Sequence, residues 1–167
     1  MILLLACALF QDPAQDPASG WKTFAIGSWV RVRTVTKLDA KNETRSESKL
    51  TLVERTKDSL ILEQETTIQR ETRKDRVVMP LKPPSGTVLK VRELSRAEEE
   101  VVIGGRTLKC LRVENEVEAT QGGVTAKSVT RMWLAPEIPG GLARMRVKVL
   151  SPNPLEVELD VAEYEKK

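Results

Sequence analysis

The side chains that could do chemistry in this chain are carboxylates, amines, two cysteines and three tryptophans, and there is no histidine at all. Histidine is the commonest general base and the commonest metal ligand, so its absence removes most catalytic and metal-site proposals. Glu98, Glu99 and Glu100 are adjacent, but neighbouring residues of a strand point to opposite faces and make no carboxylate pair. The glycine pairs at 104–105 and 122–123 lack the Lys-Ser/Thr that follows a phosphate loop. We therefore expect no enzyme activity, no cofactor and no metal ion.

The two thiols differ in their sequence context. Leu4-Leu5-Ala6-Cys7 resembles a bacterial lipobox, in which Cys7 would be lipidated, while Ala6-Cys7-Ala8 also fits the small-residue site where a signal peptide is cleaved. Cys110 lies in a segment that we predict to be a strand, so we expect a buried and inert thiol. No histidine exists to activate it as a nucleophile.

Three segments of different composition organise the chain. Residues 1–10 hold an apolar run that is too short to cross a bilayer and fits a signal peptide or lipoprotein leader, with an uncleaved anchor or a chance apolar start as alternatives. Residues 11–20 repeat Gln-Asp-Pro-Ala and predict a flexible tether. Residues 21–167 form one domain. This organisation predicts export to the periplasm or cell envelope of a bacterium, or secretion, with membrane attachment only through a lipid anchor or the leader.

The charge pattern argues against a nucleic-acid partner. The chain has 27 basic and 24 acidic residues, and its formal net charge is +3. Glutamates alternate with lysines and arginines, as in residues 43–49, whereas a nucleic-acid binder clusters its cations on one face. The pattern is typical of a solvated sheet surface of mixed charge.

Apolar residues recur with a period of two, which is typical of half-buried strands. Examples are Val30 with Val32, Leu50 with Leu52, and Leu60 with Leu62. We place strands at residues 28–38, 43–56, 59–71, 87–93, 106–118, 124–134, 143–150 and 155–164. A further strand begins at residue 76, and residues 101–103 lead into a tight hairpin at Gly104-Gly105. Turns are predicted at Lys57-Asp58 and Lys74-Asp75, and residues 94–100 fit a helical turn or a polar strand. Short connectors force antiparallel pairing, so we predict an all-β, strongly bent antiparallel meander of about nine or ten strands, a half-barrel or small barrel with little helix.

Two local expectations concern the ends of this sheet. Trp21 and Phe24 are three residues apart, so a single helical turn could place both against the sheet before Gly27 turns the chain. The strands between residues 43 and 81 carry few large apolar side chains. We therefore expect one stretch of the sheet to be wet on both faces.

Trp133 is the most interesting single side chain. It precedes a corner of prolines and glycines at residues 136–141 and has the opposite parity from Met132. It therefore either packs under the corner or forms a wall of a groove for a ligand or partner. We take Trp133, Met132 and Trp29 as the candidate groove residues.

The order of motifs resembles a known group of proteins. The chain begins with a leader, which is followed by the motif Trp21-x-x-Phe24-x-x-Gly27-Ser28-Trp29-Val30 and a polar meander. Then come a Gly-Gly hairpin, a cysteine-bearing strand and the stretch from Met132 to Leu142. This resembles uncharacterised exported bacterial β-proteins whose fold is similar to the periplasmic lipoprotein carriers (LolA/LolB-like), which implies a half-barrel with an acyl-binding cavity. No functional residue is carried over, since no long amphipathic helix is visible and aromatic residues are 4%.

From these observations we expect a non-enzymatic envelope or periplasmic binding module, holding an apolar or amphipathic ligand such as a lipid on the concave face of the sheet. The alternative is a structural or interaction domain that contacts another envelope protein through a sheet edge or the Pro-Gly corner.

Overall fold

A computed structural model describes residues 19–38, 42–81, 88–121 and 124–167. The described elements are α1 (Ser19–Lys22), β1 (Trp29–Lys37), β2 (Glu43–Arg55), β3 (Ser59–Ile68), β4 (Glu71–Pro80), β5 (Val88–Ile103), β6 (Arg106–Gln121), β7 (Val124–Leu134), β8 (Leu142–Ser151) and β9 (Leu155–Glu165). All nine strands belong to one antiparallel sheet that does not close. The predicted all-β fold with little helix is confirmed.

The sheet is built from two meanders. The strand order is β4-β3-β2-β1-β9-β8-β7-β6-β5, so β1–β4 form a first meander and β5–β9 a second, joined by the pairing of β1 with β9. Strands β4 and β5 follow each other in the chain but occupy opposite edges of the sheet. Within the described ranges, no helix is long and apolar enough to cross a membrane. The predicted leader with Cys7 and residues 11–18 of the predicted tether lie outside these ranges. The last two tether residues, Ser19 and Gly20, instead begin α1.

The turn between β3 and β4 corrects one prediction. Gln69 and Arg70 form this turn, with φ of 48° and 76°. Lys74 and Asp75, where the sequence predicted a turn, instead pair with Glu65 and Gln64 in the middle of the ladder. Turns with two residues at positive φ are usually marked by Asn-Gly, and without that signal the turn was placed five residues too late. Residues 94–100 continue strand β5 and form no helical turn.

The chain enters the sheet through α1, as predicted. Trp21 and Phe24 are both buried, and the backbone turns at Gly27, whose φ is +90°. Arg55 fixes the segment by donating hydrogen bonds to the carbonyl oxygens of Trp21 (3.3 Å) and Phe24 (2.8 Å). A side chain at Gly140 would meet the Trp21 indole at 3.0 Å, so glycine permits this close packing at the corner.

The main core joins the two meanders. It contains buried side chains from α1, β1–β3, the tip of the β5–β6 hairpin, the end of β7 and the corner that follows it, β8 and β9: Trp21, Val30, Val32, Leu52, Leu60, Leu62, Val101, Ile103, Leu108, Cys110, Trp133, Ala135, Ile138, Ala143 and Val161. The expected burial of Cys110 is confirmed, at 3% exposure. Since its members come from many separate elements, this cluster holds the fold together.

Strand β6 buries different faces along its length. Leu108 and Cys110 are buried on one face, while Val113, Asn115 and Val117 are buried on the other. The register with β7 is continuous, whereas the partner β5 shifts by one residue between Glu93 and Ser95. A bulge increases local twist, so the hairpin tip turns its other face toward the core.

Candidate functional site

Trp133 lies at the centre of a polar cluster on one face of the second meander. Its cross-strand neighbours are Arg112 on β6 and Arg144 on β8. The indole Nε1 donates a 2.7 Å hydrogen bond to Glu99 Oε2, and the Arg144 guanidinium lies 5.4 Å from the ring centroid. Glu99 Oε1 lies 3.0 Å from Arg112 Nε, which makes no aligned hydrogen bond. The Trp133 side chain, which is 7% exposed, is therefore held by the Glu99 carboxylate and the Arg144 guanidinium, and Arg112 lies beside that carboxylate.

The Cys110 thiol lies near this cluster, and its pKa is raised above the ordinary thiol value. Burial raises its pKa, the Glu137 carboxylate raises the pKa further, and Arg144 lowers it by a smaller amount. The thiol contacts the Leu108 carbonyl oxygen at 3.8 Å. A protonated, buried thiol is a poor nucleophile, so this geometry supports the expected inert role.

Trp29 has a similar set of contacts in a more exposed place. Its Nε1 donates a 2.7 Å hydrogen bond to Glu165 Oε2, and Lys49 Nζ lies 4.5 Å from the ring centroid. Through the register with β9, Trp29 and Arg33 lie on one face of β1, and Arg33 is opposite Asp160, the neighbour of Arg144. Trp29 and Trp133 therefore share a sheet face but occupy separate clusters.

Met132 lies on the opposite face from Trp133, so the three candidate groove residues do not line one surface. It belongs to a second buried cluster that we call the apolar face: Met132, Met145, Val147 and Val149, with Leu134, Leu142, Leu155, Val157 and Leu159 packed against them. All nine side chains come from β7, β8 and β9. The described residues place no side chain of another element in this cluster.

Three polar side chains are buried in continuation of the apolar face. Asn115 is 2% exposed, Ser128 3% and Thr130 1%. Thr130 lies directly opposite Asn115 on one side and Val147 on the other. Its Oγ1 is fully buried and has no hydrogen-bond partner. Leaving a buried hydroxyl unsatisfied costs about 1–3 kcal/mol, so this position is unfavourable without a further polar group.

The face that carries Trp133 is otherwise charged. One groove on this face has a volume of about 360 Å³ and is lined by Glu114, Val129, Arg131, Arg146, Val147, Lys148, Glu156, Val157 and Glu158. A second groove of about 290 Å³ is lined by Lys90, Val91, Arg92, Glu116, Val117, Glu118 and Lys127. Small-molecule pockets of this size are usually mostly apolar, and these are open and charged.

Cross-strand ion pairs neutralise most of this charge. Arg131 donates through Nη2 to Glu114 (2.9 Å), and Arg146 Nη2 donates to Asp160 at the same distance. Lys37 Nζ donates to Glu158 Oε1 at 2.7 Å. That hydrogen bond raises the pKa of Lys37 and lowers the pKa of Glu158. The charged face therefore presents paired ions rather than a field of one sign.

No group of three or more residues able to hold a metal ion occurs within the described ranges. The sequence drew attention to Trp133 and, separately, to Glu99 within a run of three glutamates, but it did not predict their contact across 34 residues. It gave no indication of Thr130. A threonine in an alternating strand gives no signal by itself that its hydroxyl is buried.

Comparisons with known proteins identify the fold. No protein-family model and no curated protein matches the sequence. A crystal structure of a candidate lipoprotein from Parabacteroides distasonis superposes with a TM-score of 0.50 at 11% identity, covering 84% of this chain and 96% of that one. A candidate exported protein with a YmcC-like fold from Bacteroides fragilis has a TM-score of 0.49 at 9% identity, covering 86% and 97%. At this identity the first likeness shows the fold alone.

Proposed function

We propose that this protein is an exported, non-enzymatic binding module of a bacterial envelope, and that it holds an amphipathic ligand, such as a lipid, against the apolar face. The apolar leader at residues 2–10 supports export, as does the fold shared with a candidate lipoprotein. The absence of histidine from the sequence supports a role without catalysis.

The observation that carries the proposal is Thr130. Its unpartnered hydroxyl is 1% exposed and lies beside an apolar surface. A ligand with an alkyl chain would pack on Met132, Met145 and Val147, and a polar group of the same ligand would bond Thr130. One molecule would thereby supply the polar contact that Thr130 lacks and an apolar layer over Met132, Met145 and Val147.

A second layer normally covers the apolar face of a sheet. Of the described elements, the only helix is α1, which packs at the Gly140 corner and contributes no side chain to the apolar face. In this proposal the layer over the apolar face is exchangeable, and the alkyl chain of the ligand takes its place. The charged grooves on the other face do not fit an alkyl chain, since burying paired ions under it would cost their hydration.

The test compares two reciprocal changes at adjacent residues that face opposite ways. Protein purified from its own envelope is examined by native mass spectrometry for a bound lipid, and a dansyl-labelled medium-chain fatty acid is titrated against the delipidated protein. Thr130→Val should weaken binding about fivefold, the effect of one hydrogen bond. Val129→Thr, on the charged face, should leave the affinity unchanged. Absence of both a bound lipid and probe binding, with the sheet intact by circular dichroism, contradicts the proposal.

A further inference from the structure

Strand β4 is an open edge of the sheet. It pairs only with β3, through ten consecutive residue pairs from Ser59↔Pro80 to Ile68↔Glu71 without a register shift. Alternate residues of such a strand direct unpaired N–H and C=O groups outward, which is a template for another strand. The described residues place no other element beside it.

The other edge of the sheet is less accessible to a partner. Strand β5 carries the bulge between Glu93 and Ser95, and its hairpin tip turns toward β9, where Gly104 approaches the Ala162 carbonyl oxygen. Bulges and bends of this kind protect an edge from pairing. Strand β4 is regular along its whole length and is therefore the edge suited to docking.

From Glu71 to Arg76 the side chains of β4 are exposed on both faces of the sheet, whereas Val77 and Met79 pack partly against the main core. Every residue from Glu71 to Arg76 is exposed, and Val78 is 62% exposed. The segment from Arg70 to Arg76 has four cations and two carboxylates, an excess of two positive charges. Two cations already have acidic neighbours: Arg73 lies 2.9 Å from Asp75 and Lys74 lies 3.2 Å from Glu65. The edge is thus basic at one end and apolar at the other.

The charge pattern argues against a second copy as the occupant. In a two-fold antiparallel pairing of β4 with itself, each register centred between Arg73 and Asp75 sets a cation opposite a cation. Like charges directly opposite each other on neighbouring strands are destabilising. An acidic strand would instead meet the basic excess favourably.

We propose that β4 is a docking edge, and that an extended, acidic segment of another envelope protein adds to it as a tenth strand. The backbone ladder supplies affinity, the cations Arg73, Lys74 and Arg76 select acidic side chains, and Val78 accepts an apolar residue near the end of the segment. This inference is independent of a ligand on the apolar face, because β4 contributes no side chain to that face.

The test uses the full chain and a labelled peptide of alternating glutamate and valine, with a lysine–valine peptide as its counterpart. Fluorescence anisotropy should detect binding of the acidic peptide only. The triple variant R73E/K74E/R76E should bind it at least about tenfold more weakly. A matched variant R33E/R45E/K109E changes the net charge equally, away from β4, and should bind within about twofold of the unaltered protein.

Amide hydrogen exchange locates the docked peptide. Saturating peptide should slow the exchange of β4 amides and leave those of β5 unchanged. Unchanged exchange along β4, or equal weakening by both triple variants, overturns the proposal. A dimer of the chain that R73E/K74E/R76E dissociates would assign the edge to a second copy and overturn it as well.

Discussion

Met132 and Trp133 are neighbours on β7 that point to opposite faces, and both are more than nine-tenths buried. Arg73 and Lys74 are likewise neighbours on β4, but their side chains are 81% and 63% exposed. One sheet therefore contains a region packed on both faces and, at residues 71–76 of β4, a stretch exposed on both faces. The expectation of a wet sheet between residues 43 and 81 holds for this stretch, but Leu52, Leu60 and Leu62 are buried in the main core. Side-chain packing holds the strands in the first region. Residues 71–76 are held by the backbone ladder and exposed ion pairs, whereas Val77 and Met79 at the end of β4 pack against the main core.

This difference indicates where each kind of function can lie. A strand packed on both faces cannot move without breaking the core, so it suits a fixed binding surface such as the apolar face. A strand held on one side by its ladder opens at lower free energy and leaves its outer edge available for pairing. The experiments below compare matched residues of the two regions.

The two tryptophans give the largest expected contrast. Each donates its indole N–H to a glutamate at 2.7 Å and has a cation near its ring, but Trp133 is buried and Trp29 only half-buried. Trp133→Ala should lower the free energy of unfolding by about 4 kcal/mol, since it also leaves a cavity. Trp29→Ala should lower it by about 1 kcal/mol. Urea denaturation measures both, and equal losses would contradict the comparison.

The contrast between the two tryptophans could only partly be predicted from the sequence. The parity of residues 132–134 showed that Trp133 and Met132 face opposite ways, but burial on both faces depends on what packs there. The contact of Trp133 with Glu99 joins β7 to β5, which are not neighbours in the sheet. Period-two patterns predict which residues share a face, not which distant strand supplies a partner.

The strand pairing that joins the two meanders could not be predicted from the sequence either. Hairpins such as that at Gly104-Gly105 follow from local turn chemistry, and both glycines have positive φ as expected. The pairing of β1 with β9 connects residues more than a hundred positions apart, and no local signal specifies it. Sequence reasoning therefore predicted the strands and most turns, but not the strand order.

Buried hydroxyl groups should respond with opposite signs in the two meanders. Ser48 Oγ and Thr66 Oγ1 are 2.9 Å apart, so Thr66→Val removes a partner from the buried Ser48 and should destabilise by about 1 kcal/mol. Thr130 Oγ1 has no partner, so Thr130→Val should stabilise the ligand-free protein by about 1 kcal/mol. Urea midpoints distinguish the signs. Destabilisation by both variants would show that the Thr130 hydroxyl is already satisfied.

The two hairpin turns provide a smaller contrast. Gln69 and Arg70 hold positive φ without being glycine, whereas Gly104 and Gly105 hold it at no steric cost. The double change Gln69→Asn with Arg70→Gly should raise the free energy of unfolding by up to about 1 kcal/mol, and the melting temperature should rise with it. Gly105→Ala, which meets no atom within 4 Å, should lower stability by about 1 kcal/mol through its backbone alone. A neutral Gly105→Ala would contradict this account of both turns.

The smallest effect concerns the Cys110 thiol, and it tests the packed region directly. In a Cys7→Ser background, native Cys110 should resist iodoacetamide and react only in denaturant, because burial raises its pKa. A thiol placed on β4 by Val78→Cys, with Cys110→Ala, should react at once, since Val78 is 62% exposed. Rapid labelling of native Cys110 would show that the packed region opens as easily as the edge.

The same thiol predicts a pH dependence. A raised pKa means that the folded state binds the proton more tightly than the unfolded state, so the contribution of Cys110 is fully present below the ordinary thiol pKa. This contribution to stability is lost as the pH rises from the ordinary thiol pKa through the raised pKa of the folded state. Cys110→Ala should change stability by about 1 kcal/mol at neutral pH and should remove this alkaline decline. Urea midpoints of both proteins, determined across that pH range, measure this decline. If the midpoints of the two proteins change with pH in the same way, the pKa of Cys110 is not raised by folding.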